Sequence, residues 1–306
     1  MKKGLKKSKI VYSILAILGF VVLLAVGEAK EARDKEKQLI AIGNQKIPEF
    51  EKYLQGIQDY DMVILGDSVF GERRDATSIP AQIGERLGIT VFNGGFGGTC
   101  MGRLSEESSL SYTKDCLSMV SLAKSIAARD FGTQQATRIR EGATEHFPVT
   151  IDELEQIDFS KVEVLLIGHG LNDYHGEEPV FTENDLYNEY TFEGALRSAV
   201  RTLKEAYPDM RIVLVTPPYT WYTIPELTCE EYVLNGYVLE DFVEAELAVA
   251  RELDIEIIDI YHNGYHHESF EDWEQYTNDG LHPNDEGCAL LAQIITDYFI
   301  EHPTKP

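Results

Sequence analysis

Apolar and polar positions alternate along most of the chain in a βα rhythm. Five short apolar runs bounded by turn or acidic residues read as buried strands: Met62–Leu65, Ile89–Phe92, Val162–Ile167, Ile212–Val215 and Ile255–Ile260. Between and after them, 3.6-residue patterns predict helices over Pro80–Leu87, Phe192–Ala206, Gly236–Leu253 and Asp285–Ile300. In the second of these, Leu196, Val200 and Leu203 form the inward stripe and Pro208 supplies the stop. Strands that alternate with helices predict a parallel sheet covered on both faces. Five such strands suit a three-layer α/β/α, flavodoxin-like domain. One stretch departs from the rhythm. Ser105–Glu141 is long and helix-like, and is expected to be an enlarged crossover helix or a cap beside the carboxyl edge of the sheet.

The first sixty residues follow a different pattern. Five lysines fall within the first nine positions, and Ile10–Val26 then runs without a charge. Small residues at Ala25-Val26-Gly27 allow a cleaved signal peptide. The apolar run is longer than the usual signal core, and the lysines place its amino side in the cytoplasm, so an uncleaved anchor is preferred. The expected organisation is a basic cytoplasmic segment at 1–9, an anchor or signal at 10–27, a charged stalk and linker at 28–58, and the catalytic-type domain at 59–306. The protein would then be a single-pass membrane protein with its bulk outside the cell.

Charge narrows the partners. The 306 residues include 52 acidic against 27 basic, a net −25, and several of the basic ones sit in the amino-terminal cluster. Such a surface repels nucleic acid and anionic headgroups. The four cysteines contain no C-x-x-C pair. Cys288 lies on an apolar helical pattern and is expected as a buried thiol, while Cys100 with Cys116 is the one pair considered for a bridge.

Chemistry concentrates at four strand or loop ends. The first strand breaks into Gly66-Asp67-Ser68, at the sheet edge where open α/β folds bind ligands. It is not a P-loop, since Glu72-Arg73 follows Gly71, nor a G-x-S-x-G elbow, since Phe70 stands at the second glycine. After the second strand comes Asn93-Gly94-Gly95-Phe96-Gly97-Gly98-Thr99, where glycines serve either tight turns or an exposed backbone N–H aimed at developing negative charge. After the third comes Gly170-Leu171-Asn172-Asp173, where the Asn172 amide is a turn former or an oxyanion donor. His169 precedes it without an acidic partner at a telling spacing. The fourth stretch, Asp279-Gly280-Leu281-His282-Pro283, sets a carboxylate three residues before a histidine, close enough to fix the imidazole tautomer. His262, His266 and His267 raise a metal reading, but no carboxylate or cysteine spacing completes it, and none is expected.

Taken together, these four stretches resemble the SGNH (GDSL-type) hydrolases, over roughly Asp59 to Ile300. The resemblance implies Ser68 as nucleophile, His282 as general base and then acid, and Asp279 as its orienting carboxylate. It implies an oxyanion hole from the Ser68 and Gly98 N–H groups and the Asn172 amide, with no metal or organic cofactor. Val69 replaces the leucine of the family's name, and the gap between the second and third blocks is unusually wide. The expected activity is hydrolysis of short acyl esters, above all O-acetyl groups of extracellular or cell-wall carbohydrate. An O-acyltransferase, a lipase or lysophospholipase, and a silent glycan-binding module are the alternatives. Asp67, Tyr174 and Tyr219 are the candidate substrate contacts, the two tyrosines because aromatic rings with polar tips can stack on sugars.

Overall fold

The computed structural model describes residues 59–104, 113–137 and 146–303. The expected anchor at 10–27 and stalk at 28–58 lie outside these residues. Among the described residues, no helix is long and apolar enough to cross a membrane.

From Asp59 onward the chain forms one compact unit. Strand β1 (Met62–Gly66) leads into a one-turn helix α1 (Ser68–Gly71), then α2 (Ile79–Leu87) and β2 (Val91–Gly95). Helices α3 (Met119–Ala128), α4 (Gly132–Thr137) and α5 (Phe147–Gln156) precede β3 (Val164–Gly168) and the short α6 (Leu171–His175). Then come α7 (Phe192–Ala206), β4 (Arg211–Val215) and a hairpin of β5 (Trp221–Thr223) and β6 (Glu226–Thr228). The chain finishes with α8 (Leu239–Leu253), β7 (Glu256–Ile258), the single turns α9 (Ile260–Asn263) and α10 (Trp273–Tyr276), and α11 (Asp285–Glu301).

Five strands make one parallel sheet in the order β2-β1-β3-β4-β7. All five residues of β1 and of β3 are buried, as their unbroken apolar runs require of strands covered on both faces. The chain moves from β1 to β2 in one direction and from β3 to β4 and β7 in the other. With crossovers of one hand, the helices of the two halves fall on opposite faces, and β1 and β3 flank the point where the order reverses. Accordingly α2 packs on α11, while α3 and α8 both pack on α7.

Every strand of the sheet expected from sequence is present, with no end shifted by more than three residues. The Ser105–Glu141 expectation needs correction. Its described part is no single crossover helix: a 3₁₀ turn over Thr113–Leu117 is followed by α3, which stops at a left-handed Arg129 (φ 51°), and then by α4. The β5–β6 hairpin was not foreseen, because three-residue strands carry too few positions to show a period. All four cysteines are buried free thiols, so Cys100 and Cys116 are not bridged, whereas Cys288 is the buried thiol expected.

The carboxyl edge of the sheet carries one feature that seats the site. Gly66 pairs with Gly95 on one side and Gly168 on the other, giving a row of three glycines across β2, β1 and β3. Phe70 of α1 lies over this row: a Cβ on Gly66 would come within 2.8 Å of its ring, and one on Gly168 would press into the same ring. Gly71 and Gly95 meet backbone to backbone. Without side chains in the way, α1 docks directly on the strand ends. Phe70, which disqualifies the hydrolase elbow pattern, is what covers the seat. Asn93 ties the two parts together by donating to the Phe70 and Arg73 carbonyls.

Candidate active site

Ser68 is the first residue of α1, directly after β1. Asp67 caps that turn, its Oδ1 accepting the Val69 N–H at 2.9 Å. The Ser68 Oγ stands 3.1 Å from His282 Nε2, across 214 residues of chain.

His282 arrives on the loop before α11, and that loop is rigid for local reasons. Asn284 caps α11 by accepting the Gly287 N–H, and Thr277 pairs with Pro283 in an isolated bridge. Asp279 Oδ1 accepts the Leu281 and His282 N–H groups at 2.9 and 2.8 Å. Its Oδ2 lies 2.8 Å from His282 Nδ1. Burial alone would raise the Asp279 carboxyl, but the His282 and Leu281 hydrogen bonds outweigh it and hold it below the usual carboxylate value. An ionised Asp279 keeps the imidazole proton on Nδ1 and the Nε2 lone pair towards Ser68. Glu72 brings a second, more exposed carboxylate to 3.7 Å from Nδ1.

Asn172 enters from α6 at the end of β3, beside β1. Its Nδ2 donates to Asp67 Oδ2 at 3.2 Å, so the residue before Ser68 orients the amide that follows β3. The Asp67 carboxyl is 2% exposed, and burial pushes it up to about 7, with the Val69 N–H pulling down and the nearby Asp173 charge pushing up. Asp67 was expected to contact substrate. Instead it is sealed beneath the site and spends both oxygens on the chain itself. On the other side of Ser68, a Cβ at Gly97 would lie 3.5 Å from the Ser68 Cβ, and Gly98 follows at φ 75°, where L side chains are strained.

The loop after β2 is fastened from α6. Asp173, fully buried, accepts the Met101 and Gly102 N–H groups at 2.9 and 3.0 Å. Burial raises it to about 6, and the neighbouring Glu178 is raised well above its ordinary value by burial and by the Asp173 charge. Burial and the Asp173 charge together favour the protonated form of Glu178 beside that carboxylate. With Cys100 they form the one cluster of three metal-type side chains among the described residues, their ligand atoms within 4.8 Å of one another. Sequence reading passed over Glu178, Glu72 and the bracing role of Asp173. Only the Asp after Asn172 carried a signal, and that signal reads equally as a turn.

Two further expectations are corrected. Tyr174 and Tyr219 are each 1% exposed and belong to the core. Tyr174 donates to the Tyr232 carbonyl and packs on Phe242, while Tyr219 lies between Trp221 and a stacked His267. Neither ring is open to a sugar. His169 is buried beside Thr99, and desolvation drives it down to about 3, a neutral core residue. His175, one turn beyond Asn172, is half-buried and bonds Tyr222 at 2.8 Å. His262, His266 and His267 each have a different partner: Asp259, Glu268 and the Tyr219 ring.

Solved structures share this architecture. A protein from Lactobacillus plantarum is 17% identical with a TM-score of 0.56, the match covering 81% of this chain and 100% of that one. A possible lipase from Chitinophaga pinensis DSM 2588 is 21% identical with a TM-score of 0.51, covering 79% and 98%. No curated protein matches the chain in sequence. The sequence profile of the GDSL-like Lipase/Acylhydrolase family does match, over residues 64–290, which takes in all four strand-end and loop stretches. The chain thus belongs to the GDSL-like lipase/acylhydrolase family and is an SGNH-type serine esterase.

Proposed function

We propose that Ser68 is the nucleophile, His282 the general base and acid, and Asp279 its orienting carboxylate, acting on short acyl esters. The observation that carries this reading is the unbroken relay from Ser68 Oγ to His282 Nε2 at 3.1 Å and from His282 Nδ1 to Asp279 at 2.8 Å. As Oγ attacks the ester carbonyl, its proton passes to Nε2, and the carbonyl electrons collect on oxygen. The Ser68 and Gly98 N–H groups and the Asn172 amide receive that oxyanion. His282 then gives its proton to the departing alcohol, leaving an acyl-Ser68. Water, deprotonated by the same Nε2, attacks the acyl carbon; collapse returns the proton to Oγ and releases the acid. The steps require no metal or organic cofactor.

The substrate class within this reading is the O-acetylated carbohydrate of an extracellular or cell-wall polymer. The amino-terminal apolar run supports it, since an anchor with its lysines in the cytoplasm holds the domain at the outer face of the membrane. That same tether suits transfer of the acyl group to a sugar hydroxyl in place of water. A chain-length series of p-nitrophenyl esters, run with and without an alcohol acceptor, tests the reading. kcat/KM should fall from acetate or butyrate to decanoate. A maximum at eight carbons or longer makes the enzyme a lipase or lysophospholipase, and acceptor-dependent ester formation that outpaces hydrolysis makes it a transferase.

A further inference from the structure

We propose that Lys114 is a positioning residue of the oxyanion hole, holding the Gly97–Gly98 peptide so that its N–H faces the reacting carbonyl. The inference rests on the reading of Gly98 given above and extends it to a residue on the insertion between the second and third sequence blocks. Lys114 lies in the 3₁₀ turn Thr113–Leu117, and its ammonium donates to the Gly97 carbonyl at 2.8 Å. In a trans peptide the carbonyl and the following N–H point in opposite directions. A cation fixed on the Gly97 oxygen therefore turns the Gly98 N–H to the far side of that peptide. Gly97 itself packs on Ser68, with a built Cβ only 3.5 Å from the Ser68 Cβ.

Gly98 also owes its identity to this arrangement. At φ 75° a side chain is strained, and a Cβ there would collide with the Lys114 Nζ. The lysine is not a loose surface group. Burial lowers its pKa, and its turn is fastened by Asp115, buried, whose Oδ1 accepts the Leu104 N–H at 2.9 Å. Beside its backbone bonds, charged side chains from elsewhere hold the loop leaving β2 at three places: Lys114 on the Gly97 carbonyl, Asp173 on the Met101 and Gly102 N–H groups, and Asp115 on the Leu104 N–H. Of these three, the first grips the peptide that carries the oxyanion donor. Its charge also polarises that peptide, strengthening the N–H as a donor when negative charge develops on the substrate.

The test compares Lys114→Met, which keeps the length and removes the charge and donors, with Lys114→Arg, which keeps both. In Lys114→Met, kcat for p-nitrophenyl acetate should fall about 10- to 100-fold, below the loss expected for deleting a donor outright. KM should stay within twofold and the melting temperature within a few degrees. Labelling of Ser68 by a fluorophosphonate, which places negative oxygen in the same hole, should slow by a similar factor. Lys114→Arg should recover most of the rate. Retention of kcat within twofold by folded Lys114→Met overturns the proposal, as does a folded Lys114→Arg no faster than the Met variant. The Gly98 amide resonance in the ¹⁵N-labelled protein gives a readout free of catalysis. It should move in Lys114→Met and hold in Lys114→Arg, and an unmoved resonance in the Met variant overturns the proposal even if no ester is turned over. Absence of turnover by the wild type counts against the esterase reading alone.

Discussion

Two regions of this molecule carry the same local device. Asp259 and His262 stand three residues apart, as do Asp279 and His282. In each, one carboxylate oxygen accepts the histidine backbone N–H, at 3.0 and 2.8 Å, and the other lies 2.7 and 2.8 Å from Nδ1. The pairs part company at Nε2. His282 meets the Ser68 hydroxyl, whereas His262 meets a second carboxylate, Glu240, at 3.8 Å. Burial works to lower His262, but its bond to Asp259 and the charges of Asp259 and Glu240 prevail and raise it, favouring the cation. The more the cation is favoured, the less often Nε2 has a lone pair to take a proton. The D-x-x-H unit therefore fixes a tautomer and nothing more. Whether it becomes a base depends on what distant chain delivers to the other nitrogen.

That contrast is sharpest at its serine. Ser68→Ala or His282→Ala should cut kcat on p-nitrophenyl acetate by about 10⁴- to 10⁶-fold with the fold intact, because triad members act as a unit. Near-wild-type turnover by either folded variant would sink the mechanism. Next in size is Asn172→Ala. A donor used mainly in the transition state is worth about 10²–10³-fold in kcat, so KM should scarcely move. A change confined to KM would make Asn172 a binding residue.

Asp67→Asn probes the carboxylate beneath that amide. In the native protein Asp67 holds its proton to about pH 7, while the unfolded chain releases it near 3.8. Stability contributed by this group is therefore lost as pH rises from about 4 through 7, and stays lost above. Three pKa units correspond to at most roughly 4 kcal/mol. Thermal melts at pH 5 and pH 9 should differ less in Asp67→Asn than in wild type, and an unchanged difference would show that Asp67 is not raised in the native protein. The smallest effect belongs to the second pair: His262→Ala should leave kcat/KM within about twofold. A larger loss would mean that the pair serves the reaction, ending the contrast.

Much of this was legible because it is local. The strand runs needed only their apolar content, and Asp279 with His282 needed only a spacing, since the acid reaches the imidazole within one loop. Tyr174 and Tyr219 misled for the complementary reason: a tyrosine near a strand end looks the same in sequence whether its ring is packed by Phe242 and Trp221 or open to solvent. Glu178 and Lys114 could not be read at all. Glu178 lies beside the Asp173 carboxyl and Lys114 meets a backbone carbonyl of a loop fixed elsewhere in the chain, and no periodicity records which group either will meet. Even the three-glycine row was visible only as three separate strand-end glycines.

The four cysteine thiols are all buried, at 4% exposure or less. A thiol sealed in the core reacts with a soluble disulfide only while its surroundings are open, so each is a clock on a different breathing motion. Cys100 times the loop that leads away from Gly98, Cys116 the turn that bears Lys114, Cys229 the chain just beyond the β5–β6 hairpin, and Cys288 the final helix. Four rates, measured one thiol at a time, would rank these regions by how often each comes apart in the native protein.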